Sequence, residues 1–136
     1  MIRPAMTRPP VPRRLAVVLL IAGLAGAAIA RPLKPEQEAK ITPAGPPIDC
    51  VSVHSIRETR VRDDRTIDFY MLGGKVYRNT LPQSCPELGF EERFGYETSI
   101  DRLCNVDIIH VLHESPPIPG AACGLGSFQP IAGAPR

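Results

Sequence analysis

The clearest alternation of apolar and polar positions runs from Thr66 to Leu81, where two β-prone stretches flank Gly73-Gly74. Two glycines in this position are typical of a two-residue hairpin turn, whose positive φ angles glycine adopts without strain. The resulting register pairs Met71 with Val76, Tyr70 with Tyr77 and Phe69 with Arg78. Both faces of this hairpin are substantially apolar, so we expect it to lie at the centre of the fold.

Weaker patterns predict further elements on either side. Cys50–Ile56 alternates weakly, and Thr59–Arg62 is typical of a strand. Val106–Leu112 is rich in β-branched residues, which predicts another central strand. Thr98-Ser-Ile-Asp101 resembles a capping box and predicts a short helix that continues to Leu103. Together these elements predict a mainly β fold, a small antiparallel sheet or barrel-like roll with one short helix.

A continuous apolar stretch, Leu15–Ala30, follows four arginines and no acidic residue. Ala28-Ile29-Ala30 provides the small residues that signal peptidase recognises, so residues 1–30 are predicted to be a signal peptide cleaved after Ala30. An uncleaved anchor is the alternative, although about 20 apolar residues are needed to span a bilayer. We therefore expect a periplasmic or secreted protein, with no stable membrane anchor after cleavage.

Cleavage would change the charge of the protein. The chain has 16 Lys and Arg against 14 Asp and Glu, and removal of residues 1–30 takes away four arginines and no acid. The formal charge then moves from +2 to −2, with twelve basic against fourteen acidic residues. This weakens the compositional argument for nucleic acid, which we do not expect as a partner.

Prolines divide the exported part of the chain. They cluster on both sides of the stretch from Ile48 to Ser115, which itself holds only Pro82 and Pro86. This contrast predicts a proline-rich flexible spacer over residues 31–47, a β domain over residues 48–131 and a tail over residues 132–136. A domain of this size buries only about 60% of its unfolded surface, so disulfides are expected to supplement the core.

The chain has four cysteines, Cys50, Cys85, Cys104 and Cys123. An even number in an exported protein favours two structural disulfides over a redox or metal site. Three pairings are possible, and sequence alone does not select one. We favour the nested arrangement, Cys85–Cys104 and Cys50–Cys123, because the second bond would join the two ends of the domain.

Several polar residues are candidates for binding or chemistry. Arg60 and Arg62 share a predicted strand face and could bind an anion, with Arg78 and Asn79 as second choices. The alternative for this strand is a solvated, salt-bridged surface. Asp107, His110 and His113 are weak metal candidates, because a strand would point the two histidines to opposite faces. Asp63-Asp64 could bind calcium or act as an acid–base pair, although such pairs more often hydrogen-bond turn amides.

The chain resembles a family of small exported proteobacterial proteins that share a four-cysteine domain of unknown function. The similarity covers Asp49 to Pro130. It is carried by Cys50, Val61-x-Asp-Asp-x-Thr-Ile67, Gly73-Gly74, Tyr77-Arg-Asn79, Cys85-Pro-x-Leu88, Phe94-x-Tyr96, Leu103-Cys-x-Val-Asp-Ile-Ile109 and Cys123-Gly-Leu-Gly-x-Phe128. The resemblance implies export and a shared fold, and it implies no activity, ligand or catalytic residue. Some relatives are similar to lipoproteins, but this chain lacks their acylated cysteine.

The sequence favours a non-enzymatic binding or accessory protein of the bacterial cell envelope, whose partner is an envelope component or a small anionic ligand. No nucleophile elbow, phosphate-binding loop, dinucleotide fingerprint or zincin motif is present, and no cofactor is expected. The alternative is a periplasmic metal-binding protein or small enzyme built on Asp63, Asp64, Asp107, His110 and His113. A purely structural envelope component is a third possibility.

Overall fold

A computed structural model describes residues 32–136, so the predicted signal peptide lies outside the described residues. This part of the chain forms short strands and two short helices. In chain order they are α1 Pro35–Glu38, β1 Thr42–Pro43, β2 Cys50–Ser52, β3 Ile56–Val61, β4 Thr66–Met71, β5 Val76–Thr80, α2 Leu88–Glu91, β6 Phe94–Tyr96, β7 Arg102–Cys104, β8 Ile108–Leu112, β9 Pro119–Gly124 and β10 Phe128–Ala132. A 3-10 turn, Val53–Ser55, separates β2 from β3.

The strands form antiparallel sheets, which confirms the predicted mainly β fold. A five-stranded sheet has the order β1-β10-β5-β4-β3, a two-stranded sheet pairs β2 with β7, and a three-stranded sheet has the order β6-β8-β9. The hairpin strands β4 and β5 lie inside the five-stranded sheet, and β8 is the middle strand of the three-stranded sheet. Both positions agree with the apolar sequences of these strands.

One hydrophobic cluster joins the three sheets. Phe69 of β4 and Phe128 of β10 are fully buried, and their rings meet edge to face with centroids 5.3 Å apart. Phe94 of β6 contacts Phe69 from the three-stranded sheet, with centroids 6.2 Å apart. Leu103 of β7 belongs to the same buried cluster. The core therefore holds one face of the large sheet against the two smaller sheets.

The predicted hairpin register is wrong by one residue. Phe69 lies opposite Tyr77, and Asp68 lies opposite Arg78. The Met71 amide donates to the Lys75 carbonyl at 2.8 Å, so three residues rather than two connect the strands. Gly73 and Gly74 both have positive φ, at 87° and 89°, and glycine permits this wider turn.

The predicted helix from Thr98 to Leu103 is also wrong. Residues 102–104 form β7, which pairs with β2, and residues 99–101 form a bend. The short helix between β5 and β6 is α2, where Leu88 is fully buried. Pairing with a distant strand and burial of Leu103 outweigh the local capping signal, which contributes only about 1 kcal/mol.

The favoured nested disulfide pairing is wrong as well. Cys50 bonds Cys104, and Cys85 bonds Cys123. Cys50 and Cys104 are opposite residues of β2 and β7, which places their side chains next to each other. The two bonds cross in sequence instead of nesting. Two structural disulfides indicate an oxidising, extracytoplasmic environment.

The segment predicted as a flexible spacer packs against the large sheet. β1 pairs with β10 through Thr42–Ala132 and Pro43–Ile131, and the Ala44 amide donates to the Pro130 carbonyl at 2.8 Å. The predicted tail follows β10 and contacts the same segment. A Cβ at Gly133 would lie 2.2 Å from the Lys40 carbonyl oxygen, so the residues just before β1 and just after β10 approach closely. No helix within residues 32–136 is long and apolar enough to cross a membrane.

Candidate binding site

The second face of the large sheet contains a buried carboxylate held by two arginines. Asp68 of β4 has no solvent exposure. Arg78 donates from Nε to Oδ1 at 2.7 Å and from Nη2 to Oδ2 at 3.0 Å, and Arg62 donates from Nε to Oδ2 at 2.8 Å. A buried carboxylate requires such charged donors, because an unpaired buried charge is very costly. Two of the predicted anion-binding side chains are therefore occupied by Asp68.

Helix α1 and the C-terminal residues complete this network. The Arg62 Nη2 donates to the Tyr70 hydroxyl at 2.8 Å and to the Pro135 carbonyl at 2.9 Å, and the Tyr70 hydroxyl donates to the same carbonyl. Burial raises the pKa of Tyr70, and Arg62 opposes that shift. Arg78 also pairs with Glu38 of α1. Burial alone would lower the pKa of Arg78, but its hydrogen bonds with Asp68 and Glu38 outweigh burial and the pKa is raised.

The other two predicted anion-binding residues lie in different surroundings. Arg60 is half exposed and pairs with Glu58 on the same strand. Asn79 is fully buried on the core side of β5, where its Nδ2 donates to the Gly126 carbonyl at 2.6 Å and its Oδ1 accepts from the Gly126 amide at 2.8 Å. The four residues therefore do not form one anion-binding surface.

The acidic candidates hydrogen-bond to backbone amides. Asp63 accepts from the Arg65 amide at 2.7 Å, and Asp64 accepts from the Gly89 amide at 2.7 Å. Asp107 accepts from the Cys104 amide at 2.6 Å, which closes the turn before β8. These contacts are the backbone-capping role that the sequence offered as the alternative for Asp63 and Asp64.

The two candidate histidines are not brought together. His110 is exposed on β8, whereas His113 is mostly buried and its Nδ1 lies 2.9 Å from Glu91 Oε1 of α2. Its Nε2 lies 3.5 Å from Glu87 Oε2. The hydrogen bond with Glu91 raises the pKa of His113, with a further contribution from the charge of Glu87. Within residues 32–136, no three His, Cys, Asp or Glu side chains are placed to hold a metal ion.

A cleft at the turn end of the hairpin, called here the hairpin cleft, is lined by cationic side chains that are not among the predicted site residues. It has a volume of about 150 Å³, and its lining includes Arg57, Glu58, Tyr70, Met71, Lys75 and Arg136. Ile56 lies opposite Met71 and Glu58 lies opposite Tyr70, so Arg57 is the extra residue of a β-bulge. Bulges frequently redirect a side chain beside a functional site.

The cations of the hairpin cleft have no acidic side chain as an ion-pair partner among the described residues. Across residues 32–136, no ion pair joins Arg57, Lys75 or Arg136 to a carboxylate side chain, and residues 1–31 contain no Asp or Glu. Glu58 is the acidic side chain in the lining, and Arg60 pairs with it. The hairpin cleft therefore has positive charge available for a ligand.

Sequence reasoning missed the hairpin cleft because its cations come from three distant points. Arg57 stood among four arginines within nine residues, and the strand pattern carried no sign of the bulge that separates it from Arg60 and Arg62. Lys75 was predicted to begin the second strand of the hairpin, because the predicted loop was one residue too short. Arg136 was assigned to a tail. Only the folded sheet brings the three together.

No protein-family model, curated protein or solved structure matches the chain. The resemblance to the exported four-cysteine family therefore stays a prediction.

Proposed function

We propose that this protein is a non-enzymatic binding or accessory protein of the bacterial cell envelope. Its predicted signal peptide supports export to the periplasm or the medium. The two disulfides suit an oxidising compartment. One joins β2 to β7 within the two-stranded sheet, and the other joins the loop after β5 to β9 of the three-stranded sheet, which helps to hold a small scaffold together. A rigid scaffold that presents a surface cleft is suited to binding.

The proposal rests on a difference between the acidic candidates, which have structural hydrogen-bond or ion-pair partners, and the cations of the hairpin cleft, which do not within the described part of the chain. Asp63, Asp64 and Asp107 accept hydrogen bonds from backbone amides, and Asp68 neutralises two arginines. The cations of the hairpin cleft have no such structural partner among the described residues. An uncompensated cationic cleft attracts anions, whereas acid–base chemistry needs titratable groups that can reach a substrate.

The test uses the full chain expressed in a bacterium and the exported protein recovered from its periplasm. The protein is incubated with a periplasmic extract, repurified under native conditions, and its bound small molecules are identified by mass spectrometry. We expect a retained anion that is recovered chemically unchanged. The Arg57→Gln/Lys75→Gln variant should release it, and the Arg93→Gln/Arg102→Gln variant, with the same change in net charge, should retain it.

Two outcomes would overturn the proposal. Equal retention by both double variants would mean that the hairpin cleft is not the binding site. Conversion of the retained molecule into a new product during incubation would show an enzyme instead of a binding protein.

A further inference from the structure

The hairpin cleft fixes two cations on rigid backbone. Arg57 is the extra residue of the bulge, and the residues on either side of it pair with β4. Next to this bulge, the Leu72 amide donates a hydrogen bond to the Ser55 carbonyl at 2.7 Å. The Lys75 carbonyl accepts a hydrogen bond from the Met71 amide at 2.8 Å, which closes the turn. Backbone pairing on both sides of Arg57 and the hydrogen bond at Lys75 therefore hold this part of the chain, so little backbone ordering is needed when a ligand binds.

The size of the hairpin cleft limits its occupant. The volume of the hairpin cleft is about 150 Å³. This is below the range of about 300–1,000 Å³ typical of pockets that enclose a drug-sized ligand. One anionic group fits such a space, and the remainder of a larger molecule would stay outside.

The polar groups of the hairpin cleft also define the chemistry. The Tyr70 hydroxyl donates to the Pro135 carbonyl, so its proton is committed and its ring serves as part of the wall. The available donors belong to Arg57, Lys75 and Arg136, which supply N–H groups and positive charge. A guanidinium offers a planar pair of donors that matches an oxyanion, and an ammonium binds phosphate as a point charge.

We propose that the hairpin cleft binds one phosphate group, held by Arg57 and Lys75. This inference rests on the proposed binding function and names its ligand class. The phosphate group is either inorganic phosphate or the headgroup of an anionic phospholipid, and the two sources present the same oxygens to these cations. A headgroup would place the exported domain at a membrane surface through the turn end of the hairpin.

The first arm of the test measures binding of inorganic phosphate to the exported protein by isothermal titration calorimetry. We expect binding that is about tenfold or more weaker for Arg57→Gln/Lys75→Gln, because the variant loses both charged donors that would hold the phosphate. The Arg93→Gln/Arg102→Gln control should bind as the original protein does. Both pairs of residues are exposed, so equal urea midpoints would confirm that folding is unchanged.

The second arm distinguishes the two phosphate sources. Co-sedimentation is measured with phosphatidylglycerol vesicles and with phosphatidylcholine vesicles at the same salt concentration. Selective binding to phosphatidylglycerol that is lost in Arg57→Gln/Lys75→Gln and competed by inorganic phosphate supports the headgroup. Binding of inorganic phosphate alone supports the free anion.

The proposal is overturned if neither inorganic phosphate nor the phosphatidylglycerol vesicle binds, or if both double variants bind equally. If a different anion from the periplasmic extract is still released specifically by Arg57→Gln/Lys75→Gln, the binding function stands and the phosphate assignment fails. The two proposals can therefore fail separately.

Discussion

Asp68 shows how one residue organises the second face of the large sheet. Its carboxylate receives three hydrogen bonds from two guanidinium groups, and those groups also reach Glu38 of α1 and the Pro135 carbonyl. A buried ion pair is not by itself a large source of stability, because desolvation offsets much of the attraction. Removing only one partner of the pair is strongly destabilising, because the charge that remains buried has no counterion.

We expect Asp68→Asn to lower the free energy of unfolding by about 3–5 kcal/mol, because Arg62 and Arg78 would lose their common counterion while remaining mostly buried. The measurement is urea denaturation followed by circular dichroism. Asp101→Asn is the matched control, because that carboxylate is 84% exposed and should change stability by no more than about 0.5 kcal/mol. Similar losses for both variants would contradict the role of Asp68.

Gly126 is a second position where a single added atom, the Cβ of alanine, is expected to lower stability. A Cβ there would lie 2.2 Å from the Thr80 carbonyl oxygen, and the Gly126 backbone also makes both hydrogen bonds with Asn79. Gly126→Ala is expected to destabilise the protein by about 1–3 kcal/mol or more through this overlap. Gly124→Ala is the control, because nothing lies within 4 Å of its Cβ position. Thermal unfolding of the two variants tests the difference, and equal midpoints would be inconsistent with the close approach.

At the scale of elements, the sequence predicted the hairpin but not its register. The alternation of apolar residues located β4 and β5, and Gly73-Gly74 located the turn. The loop contains one residue more than expected, which converts a Phe69–Arg78 pair into an Asp68–Arg78 pair. The opposite charges of Asp68 and Arg78 were a signal for the correct register, because cross-strand ion pairs stabilise a sheet. A one-residue shift also exchanges which side chains of β5 reach the core.

The false helix has a different cause. The capping signal at Thr98 is local, whereas Leu103 is buried by the pairing of β7 with β2, about fifty residues earlier in the chain. Local propensity is a weak predictor wherever tertiary pairing buries a large side chain. The hairpin cleft was not predicted for a similar reason, because the bulge at Arg57 and the position of Arg136 depend on contacts between distant parts of the chain.

The contact between α2 and β8 is expected to make stability depend on pH. His113, just beyond β8, faces Glu91 and Glu87 of α2, and these contacts raise its pKa above the ordinary value of 6.5. The folded state therefore favours the protonated ring. Its stabilising contribution is fully present below the unfolded pKa of about 6.5 and is lost as pH rises through the higher folded value.

His113→Gln should remove this dependence, so the stability difference from the original protein should be larger at about pH 5.5 than at about pH 8. Urea denaturation at both values gives the difference, and NMR titration of the ring gives the folded pKa directly. His110→Gln is the control, because His110 is exposed on β8. A folded pKa at or below the ordinary value would contradict the arrangement.

At the scale of the whole molecule, the disulfides connect parts that the sequence could not place together. Each of the three possible pairings closes long loops, and loop-closure entropy grows only slowly with length. The nested and the observed crossing arrangements are therefore nearly equal in that entropy. The choice comes from the sheets, because β2 pairs with β7 and places Cys50 opposite Cys104.

Removal of selected cysteines should distinguish the two arrangements. The loops closed by Cys50–Cys104 and Cys85–Cys123 span 54 and 38 residues, so each bond is expected to contribute about 4 kcal/mol through the entropy of the unfolded chain. Cys50→Ala/Cys104→Ala should therefore lower the free energy of unfolding by about this amount and should show no free thiol after denaturation. Cys50→Ala/Cys123→Ala should show two free thiols, because Cys104 and Cys85 both lose their partners, and it should be destabilised by about twice as much. The nested pairing predicts the opposite result, with two free thiols in the first variant and none in the second. Thiol titration of the denatured, exported protein therefore distinguishes the two pairings, and urea denaturation measures the loss of stability independently.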